Sequence, residues 1–180
     1  MYVKGSVQKE FSKTSEWVEK YIQFIPRSHD VLDLACGQGR HVQLLLARGF
    51  SVVALDKDIS KLDNIPSSHN LRKLEFDLEK GKNLPLPELF FSGVIVTNYL
   101  HRPLFQDLPK LLESGGVLIY QTFMRGNEAY GRPKRRDYLL ERNELFEVFE
   151  LQFDVLAFEQ GYTACPRPAV IQSICARKRQ

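Results

Sequence analysis

Cysteine is scarce in this 180-residue sequence: Cys36, Cys165 and Cys175 are widely spaced, with no C-x-x-C pair and no histidine pair beside them. An odd, scattered set of this kind argues against a disulfide frame and against a zinc site, and no metal is expected. An excess of charge of one sign is nearly absent too, since 25 Lys and Arg against 22 Asp and Glu leave a formal +3 and a pI near 8.7. So mild a balance does not announce a nucleic-acid binder. No apolar run approaches the length of a bilayer span, and the opening MYVKGSVQKEF lacks the apolar core of a secretory signal. A cytoplasmic protein without membrane association is therefore expected. Repeats of solenoid period and low-complexity tracts are also missing. What is present, 43% hydrophobic and 26% charged residues, is a globular composition. Area scaling gives a chain of this size one domain, here 1–180, that buries roughly 70% of its unfolded surface.

Short β-branched or aliphatic runs at 31–34, 51–55, 71–76, 93–97 and 116–122 alternate with helical patterns. That rhythm predicts an α/β chain of strand-helix units around a mainly parallel sheet. Trp17, Val18, Tyr21, Ile22 and Ile25 fall at helical spacing, so a helix is expected from Ser15 to Ile25, stopped by Pro26. A second helix is expected over 40–48, closed by Gly49. Residues 123–136 are polar, glycine-bearing and basic, which predicts a loop over the site, followed by a helix at about 138–149. Two last strands, 151–158 and 169–176, are separated only by a turn-rich segment with Gly161, Pro166 and Pro168, so they should run antiparallel. The chain thus divides into a helical segment at 1–29, a ligand-binding half at 30–122, and a loop, helix and strand pair at 123–180.

The segment VLDLACGQGR, Val31 to Arg40, is a strand that enters a glycine turn and then a helix. Gly37 and Gly39 permit a tight turn and close backbone approach to a ligand. The dinucleotide pattern G-x-G-x-x-G fails because Val42 stands at its third glycine, and no G-x-x-x-x-G-K-[ST] loop exists. Asp33, four residues before Gly37, would repel a pyrophosphate at the following helix start but would suit a cation. A nicotinamide dehydrogenase is disfavoured on both counts. Asp56, Asp77 and Asn98 follow at steps of 23, 21 and 21 residues, each at or just beyond a predicted strand end. Those ends form the ligand edge of an open parallel sheet. The set suits a molecule with a positive centre, hydroxyls held by Asp56 and an amino-bearing base near Asp77, although Asp77 also reads as a turn cap.

With these residues in place, the sequence from Val31 to about Arg177 resembles the class I S-adenosylmethionine-dependent methyltransferases. DLACGQGR resembles the first motif of that superfamily, ALDKD its acidic ribose-binding strand end, EFDLE its adenine-binding segment and GGVLIYQTF the strand after its fourth helix. The resemblance implies a Rossmann-like, seven-stranded, mainly parallel sheet with an antiparallel last strand and helices on both faces. It also implies S-adenosyl-L-methionine as cofactor. Asp33, Gly37 and Gly39 would hold its methionine part, Asp56 its ribose hydroxyls, and Asp77 with Leu78 its adenine, while Ala35, Lys57 and Asn98 complete the expected set. The small size, VTNYLHRPL and GNEAYGRP are similar to bacterial single-domain enzymes of the tellurite-resistance and thiopurine methyltransferase type, a likeness that transfers no substrate.

Asn98, Tyr99 and His101 follow the fourth strand, where the reacting methyl group would face its acceptor. The [DN]-P-P-[YFW] pattern of nucleobase-amino methylation is absent there, which disfavours that chemistry. His101 reads equally as a general base or as a cap on the helix opened by Pro103. Tyr99 reads as a pocket wall or an orienting hydroxyl. Arg125, Glu128, Tyr130 and the Arg132 to Arg136 cluster could bind an anionic acceptor or simply be solvated. Cys36, Trp17, His29, His41 and His69 read as packed or exposed residues without chemistry. The expected function is methyl transfer to a small-molecule acceptor by direct in-line displacement, in a monomer or homodimer. An RNA methyltransferase of the same fold and a non-catalytic S-adenosylmethionine-binding module remain as alternatives.

Overall fold

Aliphatic residues on both sides of short extended runs force burial from two directions, and the chain answers with one sheet between two helical layers. The computed structural model describes residues 13–80 and 84–180. Its strands are β1 (Val31–Leu34), β2 (Val52–Asp56), β3 (Leu71–Glu75), β4 (Phe91–Thr97), β5 (Leu112–Phe123), β6 (Phe153–Thr163) and β7 (Ala169–Lys178). They lie in the order β3-β2-β1-β4-β5-β7-β6, and β7 runs antiparallel to both β5 and β6. The remaining neighbours pair in parallel. The order reverses beside β1, between β1 and β4, which opens a crevice at the carboxyl ends of those strands.

Alternate residues of each central strand feed opposite layers. Val31, Ala54, Ile95, Ile119 and Cys175 pack with Trp17, Val18 and Tyr21 of α1 (Glu16–Tyr21) and with Val42 and Leu45 of α2 (Arg40–Ala47). Leu32, Leu55, Val96, Leu118 and Ile174 pack on the other side with Leu108 and Leu111 of α3 (Leu108–Leu111) and with Leu145 and Phe149 of α4 (Glu144–Phe149). Phe149 is central there, set edge-on to Phe105 and Phe153 at 5.7 and 5.6 Å.

The helices are shorter than their sequence patterns. The predicted 15–25 helix becomes α1 and a 3-10 turn at Ile22–Phe24, and only a 3-10 turn at Ile59–Leu62 joins β2 to β3. The predicted 138–149 helix begins at Glu144, because Leu140 is drawn into extended pairing: its N–H donates to Phe123 and its carbonyl accepts from Arg125. Part of the expected 1–29 segment, residues 1–12, lies outside the described residues. No helix among the described residues is long and apolar enough to cross a membrane.

Candidate functional site

At the end of β1 the backbone turns left-handed three times, at Ala35 (φ +57°), Gly37 (φ +56°) and Gly39 (φ +74°), and Gly39 opens α2. A Cβ at Gly39 would stand 2.5 Å from Ile65 Cδ1 and 2.6 Å from Leu62 Cδ2, so the turn seats itself against the β2–β3 connection only with glycine there. Asp56, ending β2, clamps the same turn: its Oδ2 accepts from the Gly37 N–H at 2.9 Å and its Oδ1 from the Asp58 N–H at 3.1 Å. Lys61 stands 3.6 Å from Oδ1.

Asp33 lies beneath the turn, 1% exposed, and its Oδ2 has no hydrogen-bond partner among the described residues. Burial pushes this carboxyl up to about 7; Arg40 opposes the rise and the nearby Asp56 carboxylate adds to it. A buried, half-empty carboxylate is costly unless something supplies the missing donor.

In front of the turn opens a cavity of about 980 Å³, walled by α1, the ends of β1, β4, β5 and β6 and the start of β7. Its floor is a polar row on the α1/α2 side of the sheet. Thr97 stands opposite Gln121 in the β4–β5 register, and Gln121 opposite Ser173 in the β5–β7 register. His41, buried on α2, accepts the Ser15 N–H on Nε2 at 3.1 Å and places Nδ1 3.3 Å from Thr97 Oγ1. Ser15, the cap of α1, donates from Oγ to Gln121 Oε1 at 2.6 Å, and Gln121 Nε2 donates to Ser173 Oγ at 2.8 Å. Burial, reinforced by Arg40, pushes His41 down to about 3, so its ring is neutral near pH 7.

Of the residues expected at the site, Ala35, Gly37 and Asn98 line this cavity, with Asn98 exposed at φ +55° just past β4. Asp33 and Gly39 are buried behind it. Asp56, Lys57, Asp77 and Leu78 gather on the other side of the turn, at the ends of β2 and β3. Lys57 is exposed there and Leu78 is buried in the core. Asp77 Oδ1 accepts from the Glu79 N–H at 3.0 Å and Oδ2 stands 3.4 Å from Lys80. These contacts, the Glu79 amide first, hold its carboxyl below the ordinary range. Tyr99 is half-buried, and burial pushes its phenol up, assisted by the carboxylates of Glu79, Asp77 and Asp56. Its backbone carbonyl accepts from Tyr120 Oη at 3.0 Å.

His101 precedes the 3-10 turn Arg102–Gln106, makes no side-chain capping bond and does not line the cavity. Of the expected loop at 123–136, Phe123 alone reaches the cavity wall among the described residues. Arg125, Arg135 and Arg136 instead face Glu128, Asp137 and Glu141 in exposed pairs. Sequence reasoning missed Thr97, Gln121, Ser173, Ser15 and His41. The available signal was a lone polar residue near the carboxyl-edge end of an otherwise apolar strand, as in VIVT, LIYQ and the start of SICA.

Residues 31–116 match a family model described as a methyltransferase domain. A search of curated proteins finds no significant match. Among solved structures, an S-adenosylmethionine-dependent methyltransferase from Mesorhizobium loti superposes with a TM-score of 0.67 at 18% identity, covering 89% of this chain and 96% of that one. A methyltransferase of the same dependence from Methanosarcina mazei gives 0.69 at 13% identity over 93% and 99%. TehB from Haemophilus influenzae gives 0.67 at 18% identity over 91% and 61%. At these identities the structural likeness is one of fold. The matched segment, the reversal of strand order beside β1 and the glycine turn at its end agree: residues 31–116 are similar to methyltransferase domains, and the chain has the fold of the S-adenosylmethionine-dependent methyltransferases on which it superposes.

Proposed function

We propose that this protein transfers a methyl group from S-adenosyl-L-methionine to a small, anionic acceptor held in the 980 Å³ cavity. The observation that carries the cofactor assignment is Asp33: a buried carboxylate with a vacant hydrogen-bonding oxygen behind a Gly37–Gly39 turn suits the ammonium end of a methionine moiety. Asp33, Ala35, Gly37 and Gly39 hold that moiety. Asp56, with Lys57 beside it, receives the ribose hydroxyls, and Asp77 with Leu78 borders the adenine. When bound, the cofactor supplies an electrophilic methyl group: the acceptor's lone pair forms the new bond as the carbon–sulfur bond breaks, and the sulfur keeps that electron pair.

The chain's own task is alignment and exclusion of water. Asn98, just past β4, lines the cavity together with Ala35 and Gly37 and orients the acceptor. Trp17 and Phe123 form apolar walls that keep the transfer point dry. Tyr99 braces the β4 end through its carbonyl bond to Tyr120. Four cations, Lys13, Lys20, Arg40 and Arg167, against two carboxylates, Glu16 and Glu159, line the cavity, which supports an anionic acceptor.

Titration calorimetry with S-adenosyl-L-methionine and with NAD, joined to a methyl-label transfer screen, tests the reading. Saturable binding of the first and not the second is expected, with Asp56→Ala weakening it by about 10-fold. Preference for NAD, or unchanged affinity in the variant, refutes the assignment.

A further inference from the structure

The hydrogen bonds on the cavity floor have a fixed direction. A backbone N–H can only donate, so His41 Nε2, which receives the Ser15 N–H, carries no proton. A neutral ring then carries its proton on Nδ1 and donates it to Thr97 Oγ1. The Val18 N–H donates to Ser15 Oγ at 3.4 Å, and the Ser15 hydroxyl donates to Gln121 Oε1 at 2.6 Å. That contact fixes the amide orientation and sends Gln121 Nε2 to Ser173 Oγ. Both chains end on a hydroxyl whose oxygen is already accepting. Neither the Thr97 nor the Ser173 hydroxyl has an acceptor of its own among the described residues, and both residues line the cavity.

The geometry points to Thr97 and Ser173 as the acceptor-recognition groups, two polarised O–H donors that select a small acceptor bearing a carboxylate or similar oxyanion. This rests on the methyl-transfer reading above and names its substrate class. The two donors are separated by one intervening strand, about 10 Å at ordinary strand spacing, so they touch different oxygens of an acceptor lying along the row. Charge-assisted bonds from hydroxyl to oxyanion are the strong kind, and the cationic lining of the cavity adds to them. An oxyanion takes up both free hydroxyl protons, whereas a ligand N–H would leave them without an acceptor.

The test uses the full chain, labelled S-adenosyl-L-methionine and paired probes with a thiol, an amine or a phenol as nucleophile, each made with a carboxylate and with an isopropyl group in its place. Transfer to the carboxylate member is expected to be at least about 10-fold faster in kcat/KM. The preference should disappear in the double variant Thr97→Val, Ser173→Ala and survive in Thr97→Ser. Calorimetric affinity for the cofactor should stay within about twofold in all of them. Equal use of both members, no transfer to any probe, or a preference that persists in the double variant overturns the inference. Loss of cofactor affinity in Thr97→Val also overturns it, because the hydroxyls then serve the cofactor. Failure of the unaltered protein to bind S-adenosyl-L-methionine fails the underlying reading instead.

Discussion

Asp33 predicts an unusual dependence of stability on pH. An unfolded carboxyl titrates near 3.8, whereas burial behind the glycine turn pushes this one up to about 7. Between those values the folded chain holds a proton that the unfolded chain has released, so the slope of unfolding free energy against pH is negative. This is the reverse of the usual salt-bridged carboxylate: stability is present at low pH and falls as pH rises, by up to ~1.4 kcal/mol per pH unit. From about pH 5 to pH 7 the loss attributable to Asp33 is about 2 kcal/mol, once partial titration at each end is counted. The assay is urea unfolding of the unaltered chain and of Asp33→Asn at both pH values. The asparagine buries an amide beside Arg40, so its absolute stability is not the diagnostic; the difference between the two pH values is. Asp33→Asn should lack about 2 kcal/mol of that difference. Parallel profiles for the two proteins would refute the claim that this carboxyl is buried and unpartnered in the free protein. Saturating cofactor, by supplying a cationic donor, should bring the two profiles of the unaltered chain together.

Two further substitutions test the scaffold. Gly39→Ala combines a positive φ with contacts of 2.5 and 2.6 Å to Ile65 and Leu62, whereas an alanine Cβ at Gly37 meets nothing within 4 Å. Gly37→Ala should therefore cost about 1 kcal/mol and Gly39→Ala about 1–3 kcal/mol with a larger loss of cofactor affinity; thermal melts and calorimetry would check it, and equal effects would count against the packed turn. Arg102 bonds both carboxylate oxygens of Glu144, at 2.6 and 2.9 Å, and the carbonyls of Asp137 and Leu139. Arg102→Met should free residues 136–141, seen as faster amide exchange there, with about 1–3 kcal/mol lost overall; unchanged exchange would refute the clamp.

The strands were legible where a run of Val, Ile and Leu meets a turn signal. β1 is found at its predicted residues, and β2 and β4 within two residues of them. The helices were less legible because their patterns were completed by other bonds. Leu139 and Leu140 carry apolar spacing that reads as helix, yet they are fully buried and Leu140 pairs beside Met124 as an extension of the β5 end. β5 likewise starts at Leu112 and not near Gly116, because Phe91 pairs with Leu112 across an irregularity in register. Of the site, the Gly37–Gly39 turn and the acidic strand ends were visible because their spacing is local. The Thr97–Gln121–Ser173 row was not, since register alone brings together residues as far apart as Gln121 and Ser173, 52 positions along the chain.

The two halves of the site differ in how they are satisfied, and that difference assigns their behaviour. Each side-chain acceptor on the floor, at His41, Ser15, Gln121, Thr97 and Ser173, already receives a bond, and the two chains begin at the backbone N–H of the α1 cap, Ser15, and of Val18 in its first turn. With every internal bond made and only the Thr97 and Ser173 hydroxyl protons left free, such a network holds its geometry without a ligand. Asp33 holds the opposite position: its Oδ2 is empty, and its raised protonation registers the mismatch. Binding at the glycine turn therefore changes the state of a titratable group, whereas binding along the floor only adds contacts to donors already aimed. Proton release should accompany occupation of the turn, and it should be independent of Thr97 and Ser173, so that the two halves separate in calorimetry run in buffers of different ionisation enthalpy.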